Sequence, residues 1–183
     1  GDTVDYSSRN NAIDVTLAGS TAATVTITGD TNYDQIKNIE NIIGSTTHDN
    51  IIGDGQINTL LGKAGNDTLD GKGEADYISG GEGNDDITGG SGADSLFGNS
   101  GNDIFKGTEF TGDVIDGGNE SDLSRGSDTV DYSNLDVGTL STGIDVTLAS
   151  STVSNVMVNG TSNDNTIVNI ENIYGTSLSD TLV

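Results

Sequence analysis

The feature that most limits what this chain can become is a nine-residue period running without a slip from Gly44 to Lys106. Read in nines, the segment is GSTTHDNII, GDGQINTLL, GKAGNDTLD, GKGEADYIS, GGEGNDDIT, GGSGADSLF and GNSGNDIFK. Position one is Gly in all seven, position six is Asp except at Asn58, and position eight is apolar: Ile51, Leu60, Leu69, Ile78, Ile87, Leu96 and Phe105. Such a period specifies a repeat architecture, in which no unit buries its apolar face alone and each stacks on its neighbours. Positions one to six suit a tight turn, where Gly takes positive φ and lets backbones approach. Positions seven to nine have room only for a three-residue strand, its eighth-position side chain inward. Two nines then close one coil of 18 residues, with a turn on each edge and a thin aliphatic layer between two parallel sheets. The expected fold is all-β, a parallel β-roll or β-solenoid.

Composition makes that layer a problem. Only 31% of the 183 residues are hydrophobic and 4% aromatic, while 29 Asp plus Glu stand against six Lys plus Arg, a formal charge of -23. A chain like this repels itself and has little apolar area to offset its ordering entropy. The charge argues against nucleic acid and anionic membrane partners, which need clustered Lys and Arg. The absence of Cys excludes disulfides and thiolate metal sites. No apolar run approaches the ~18 residues of a membrane span. There is no G-x-S-x-G, H-E-x-x-H or Cys nucleophile, and the single His48 sits in a weak turn, so no enzyme activity is expected. Either the chain is disordered or something cationic completes it.

Stacked turns supply a place for the cation. Equivalent turns on one edge repeat at ~4.8 Å, and Ca²⁺ takes six to eight oxygens at roughly 2.3 to 2.6 Å, about half that gap. One turn can aim only about three oxygens at an ion, so two turns must share it, through two carboxylates plus main-chain carbonyls. Mg²⁺ would prefer a tighter octahedron with its own water, and Zn²⁺ or Cu²⁺ would want Cys or His. On one edge the spacing pairs Asp49 with Asp67, Asp67 with Asp85, and Asp85 with Asp103; on the other, Asn58 with Asp76, Asp76 with Asp94, and Asp94 with Asp113 across a one-residue insertion. About five or six ions would result, neutralising roughly ten to twelve negative charges. The weakest turns are the first two, where Thr47 and Gln56 replace the fourth-position Gly and Asn58 carries no charge.

A second duplication surrounds the array. DTVDYS at Asp2 returns at Asp128, an offset of 126, whereas IDVTLA at Ile13 and NIENI at Asn38 return at Ile144 and Asn169, an offset of 131. The tail from Gly175 matches the segment from Gly44, so the chain reads as a window of a longer tandem protein. The expected organisation is an N-terminal β flank over residues 1–43, the nonapeptide roll over 44–106, a decorated and mobile loop over 107–125, and a second flank over 126–183 that starts a further array. IDVTLA and ATVTIT alternate apolar with polar residues, as half-buried strands do. Ile36, Ile39, Ile42 and Ile43 fit either a short helix or an irregular first coil; Glu40, nine residues before Asp49, favours the coil. Tyr6 and Tyr132 are expected to pack as core or cap residues. Thr24, Thr26 and Thr28 could form a flat glycan-binding face, but the counterpart at Val156 lacks Thr.

The nonapeptides resemble the G-G-x-G-x-D-x-U-x pattern of RTX proteins, the haemolysin-type calcium-binding repeats, over about a third of the chain. The resemblance implies a right-handed parallel β-roll that is disordered without Ca²⁺, carried by large secreted proteins of Gram-negative bacteria, many of them adhesins. These leave the cell by type I secretion and fold outside it. It also implies which carbonyls join the carboxylates: the second and fourth of the earlier turn, the first and third of the later. For Asp67 with Asp85 these belong to Lys63, Gly65, Gly80 and Glu82; for Asp76 with Asp94, to Lys72, Glu74, Gly89 and Ser91; for Asp85 with Asp103, to Gly81, Gly83, Gly98 and Ser100. Gly62 and Ala64 would serve beside Asp67 toward Asp49, and Gly71 and Gly73 beside Asp76 toward Asn58. The expected role is a calcium-dependent folding and structural module, with tandem neighbours in the same parent chain. The alternatives are a glycan- or surface-binding adhesion module, or the accessory module of a secreted enzyme or toxin.

Overall fold

The computed structural model describes residues 1–108, 111–118, 126–134, 143–146, 154–158 and 165–182. Within them the chain is all-β, without a helix. The first flank contains β1 (Thr3–Asp5), β2 (Ile13–Thr16), β3 (Ala23–Ile27), β4 (Asp34–Ile36) and β5 (Asn41–Ile43). The array contributes β6 (Asn50–Ile52), β7 (Thr59–Ala64), β8 (Thr68–Asp70), β9 (Tyr77–Glu82), β10 (Asp86–Gly90), β11 (Ser95–Ser100) and β12 (Ile104–Thr108). There follow β13 (Val114–Asp116), β14 (Thr129–Asp131), β15 (Ile144–Val146), β16 (Ser154–Val158), β17 (Asn165–Val168), β18 (Asn172–Tyr174) and β19 (Thr181–Leu182).

Each array strand begins at position seven of its nonapeptide, and successive strands alternate between two sheets. Thr59 pairs with Tyr77 and Tyr77 with Ser95 in one sheet, while Asn50 pairs with Thr68, Thr68 with Asp86 and Asp86 with Ile104 in the other, all in parallel. The coil is therefore 18 residues, as the period requires. All seven eighth-position side chains are fully buried between the sheets, and Ile42, Ile115, Val130 and Ile167 extend the same column beyond the array. Each such burial contributes about 1.5 to 3 kcal/mol, so the roll's apolar stabilisation rests on one side chain per nonapeptide.

The flanks continue these sheets rather than forming separate bodies. β2 lies parallel to β6, then β3 and β4 fold back antiparallel in the same sheet, with Ile13, Val15, Val25 and Ile27 buried and Asp14, Thr24 and Thr26 exposed. The second copy repeats this: β15 lies parallel to β19 and folds through β16 to β17, which pairs in parallel with β13. The ambiguous Ile36 to Ile43 segment leaves β4 at Ile36, turns through Asn38 at φ 53° and enters β5 at Asn41. The same φ recurs at Asn169 in the second copy. Tyr6 and Tyr132 are buried, with the Tyr6 hydroxyl 3.1 Å from Asp34 Oδ2 and Asn165 Nδ2 3.5 Å from the Tyr132 hydroxyl.

Within 107–125 the roll continues through β13, whose Val114 pairs with Ser95 at an offset of 19, absorbing the one-residue insertion. Residues 109–110 and 119–125, on which the expectation of a mobile loop falls, lie outside the described residues, as do the side chains at Val156 and Met157.

Candidate metal centre

The sixth-position side chains form two ladders along the edges of the roll. On the first edge the backbone N–H of Asp49 donates to Asp67 Oδ1 at 2.7 Å, that of Asp67 to Asp85 Oδ1 at 2.8 Å, and that of Asp85 to Asp103 Oδ1 at 2.8 Å. On the second edge Asn58 donates to Asp76 at 2.7 Å, Asp76 to Asp94 at 2.8 Å and Asp94 to Asp113 at 3.0 Å. All six pairs expected from spacing are thus neighbours in space, and every one of these side chains is at most 3% exposed.

One oxygen of each carboxylate is used by this ladder; the other is the informative one. Oδ2 of Asp67, Asp76, Asp85 and Asp94 is buried and accepts no hydrogen bond. An unsatisfied buried carboxylate oxygen is costly, and its presence at four equivalent positions asks for a cation. The position-one glycines explain why this oxygen has room. A Cβ at Gly62 would lie 2.6 Å from the Gly80 carbonyl oxygen and closer still to Asp67 Oδ2; at Gly71 it would meet the Gly89 carbonyl oxygen at 2.6 Å and Asp76 Oδ2. A carboxylate oxygen and a carbonyl oxygen converge there, with no donor between them.

Positions two and four give the turn its shape. Lys63, Lys72, Glu74 and Asn99 take positive φ, at 88°, 78°, 68° and 75°, as do Gly65, Gly81, Gly83, Gly90, Gly92 and Gly101. This left-handed geometry stacks the carbonyls of Lys63 and Gly65 against Gly81 and Gly83 of the next coil, and those of Lys72 and Glu74 against Gly90 and Gly92, so closely that a Cβ would overlap them. The third-position carbonyls of Glu82 and Ser100 accept the N–H of Gly65 at 2.8 Å and Gly83 at 2.7 Å, and each keeps a second lone pair. Gly81 stands at the second position of these turns, Gly98 at the first, and Ser91, Ala64 and Gly73 at the third. No three acidic, His or Cys side chains converge among the described residues. The atoms that converge are carboxylate and main-chain oxygens, the donor set that suits a hard cation such as Ca²⁺.

The first turn on each edge is built differently. Asp49 Oδ2 accepts the N–H of Ser45 at 2.6 Å, and its Oδ1 accepts the Ser45 hydroxyl and the N–H of Ile13, both at 2.8 Å. Asn58 Oδ1 accepts the N–H of Asp54 at 2.8 Å while its amide donates to the Glu40 carbonyl at 3.1 Å. Asn suits that place because the coil behind it presents a carbonyl, toward which a carboxylate could not donate.

Spacing also missed members of both ladders. Asp103 N–H donates to Asp128 Oδ1 at 2.9 Å, and Asp128 N–H to Glu171 Oε2 at 2.9 Å, extending the first edge. Asp113 N–H donates to Asn165 Oδ1 at 2.9 Å, closing the second. Gly117 and Gly118, then Gly126, Ser127 and Asp128, supply positions one, two, four, five and six of a turn whose third position is expanded. A Cβ at Gly117 would overlap Asp128 Oδ2, and Gly118 has φ 131°, as in the regular turns. The G-x-D-x-U-x pattern from Gly126 to Asp131 was the available signal.

Burial raises the Asp67 and Asp76 carboxyls to about 7, with neighbouring Asp85 and Asp49, and Asp94, Asp54 and Asp70, adding repulsion; N–H donors act the other way. Burial likewise lifts Asp85 to about 6 and Asp94 above the ordinary carboxylate range. A carboxylate whose pKa is raised on folding binds more protons folded than unfolded, so the metal-free roll loses stability as pH rises from about 4 through about 7. In EDTA, far-ultraviolet circular dichroism should therefore show more β-structure at pH 5 than at pH 8. An equal or smaller β signal at pH 5 would contradict this.

Residues 43–78 and 70–105 match the family model of the RTX calcium-binding nonapeptide repeat (4 copies). The chain thus carries that repeat over its central third. No curated protein matches the chain.

Proposed function

We propose, on the premise that residues 43–105 are an RTX calcium-binding array, that the protein is a calcium-dependent folding and structural module of a large extracellular protein. The carrying observation is the set of orphaned, buried Oδ2 atoms at Asp67, Asp76, Asp85 and Asp94, with a main-chain carbonyl of the next coil, Gly80 or Gly89, converging beside those of Asp67 and Asp76. Ions would lie between the turns of Asp67 and Asp85, Asp85 and Asp103, and Asp103 and Asp128 on the first edge, and of Asp76 and Asp94, and Asp94 and Asp113, on the second. Asp49 and Asn58, whose oxygens already hold N–H donors, would close the two ladders with at most weak metal contact. Lys63, Gly65, Gly80, Glu82 and their equivalents would supply carbonyls. Bound Ca²⁺ supplies charge neutralisation; the chain's part is to stack its turns at the ion's spacing.

The secretion reading follows from metal-coupled folding: a chain that is unfolded where calcium is scarce can cross a type I secretion channel and fold outside. Tandem partners are favoured by a specific equivalence. β14 and β17 pair with β12, the last strand of the array, and with β13, which follows it, and are the second copies of β1 and β4, which lie at sheet edges. A membership among adhesins rests on the flanking duplication.

Native mass spectrometry of the protein in millimolar calcium should show about five bound ions, retained in excess Mg²⁺. Binding of none, or equal displacement by Mg²⁺, would overturn the assignment.

A further inference from the structure

The two edges of the roll differ in a residue that binds no metal. On the first edge, position five is His48, Asn66, Asn84, Asn102 and Ser127. Asn66 N–H donates to His48 Nδ1 at 2.8 Å, Asn84 N–H to Asn66 Oδ1 at 2.9 Å, Asn102 N–H to Asn84 Oδ1 at 2.8 Å, and Ser127 N–H to Asn102 Oδ1 at 2.7 Å. This second ladder runs beside the Asp ladder and crosses the expanded turn intact. On the second edge the same position is Ile57, Ala75 and Ala93, none of which carries a side-chain acceptor. Position four is Thr47, Gly65, Gly83, Gly101 and Gly126 on the first edge and Gln56, Glu74 and Gly92 on the second, so each edge departs from Gly in its first turn.

The position-five difference acts on the spacing of the turns. A shared calcium site must hold two turns at the ion's spacing, while the ionised carboxylates of those turns repel each other. An Asn rung immediately before each ligand Asp opposes that repulsion. The second edge has only the Asp rung.

We infer that Asn66, Asn84 and Asn102 are positioning residues that make the edges unequal, so that the first edge fills at lower free calcium than the second. This rests on the calcium reading above. The test is hydrogen exchange by mass spectrometry of the protein across a calcium titration, following the turn amides of residues 62–67, 80–85 and 98–103 against those of 71–76 and 89–94. First-edge amides should gain protection at the lower midpoint. Asn84→Ala should raise the first-edge midpoint about two- to tenfold, the worth of one hydrogen bond, and more than it raises that of the second. Asn84→Asp, which keeps an acceptor, should restore it. Ala75→Asn adds a rung to the second edge without removing any contact and should bring its midpoint toward that of the first. Coincident midpoints in the unaltered protein, or no narrowing with Ala75→Asn, would overturn the ladder's role with the calcium reading intact. Absence of protection at any calcium concentration would overturn the calcium reading itself.

Discussion

In EDTA at neutral pH the protein is expected to give the far-ultraviolet spectrum of a coil, and millimolar calcium is expected to convert it to β-structure. The reason lies in the balance of small and large terms. The roll buries one aliphatic or aromatic side chain per nonapeptide, about 1.5 to 3 kcal/mol each, against an ordering cost of about 1 to 2 kcal/mol for every backbone residue. Against that balance the metal-free fold must also enclose the carboxyls of Asp67, Asp76, Asp85 and Asp94 at positions where burial opposes their charge. When sites form only on folding, the binding free energy of the ions becomes folding free energy. The change should be reversed by chelator. A protein whose β spectrum is the same in EDTA and in calcium would refute the account.

Asp85→Asn is expected to raise the calcium concentration needed for folding by roughly 10- to 100-fold, and Asn58→Ala by about fivefold or less. Asp85 stands between two proposed ions: its Oδ1 holds the N–H of Asp67 while its own N–H is held by Asp103. Asn can keep the first of these hydrogen bonds, so the substitution isolates the loss of charge and of the orphaned Oδ2. Asn58 closes a ladder, and its side chain is occupied by Asp54 N–H and the Glu40 carbonyl. Removing it costs ordinary hydrogen bonds. Equal calcium titrations for the two variants would contradict the sharing of ions between stacked turns.

Much of this was readable in the residues because each demand is local and recurs in register. Gly44, Gly53 and their successors mark where a Cβ would strike the sixth-position side chain; Ile51, Leu60 and theirs mark the inward face; and an Asp every nine residues falls on alternate edges of an 18-residue coil. No knowledge of distant contacts was needed, since each strand's partner lies one coil away. Even the irregular coil at Glu40 could be chosen over a helix, and Glu40 does close on the N–H of Asp2 at 2.7 Å, as Glu171 does on Asp128.

Stacking in space decided the rest. Gly118 and Asp128 belong to one turn although its third position is expanded to seven residues, because lengthening a loop costs only logarithmically in its length while both ends of the turn still meet the coil beneath. Asn165 receives the N–H of Asp113 from 52 residues away, where no spacing rule reaches. Asp49 and Asp85 look alike in the repeat, yet Asp49 is satisfied by Ser45 and Ile13 while Asp85 keeps a bare oxygen. Period and composition specify which atoms a turn offers; only the neighbouring coil determines which of those atoms already have a partner, and so which are left for an ion.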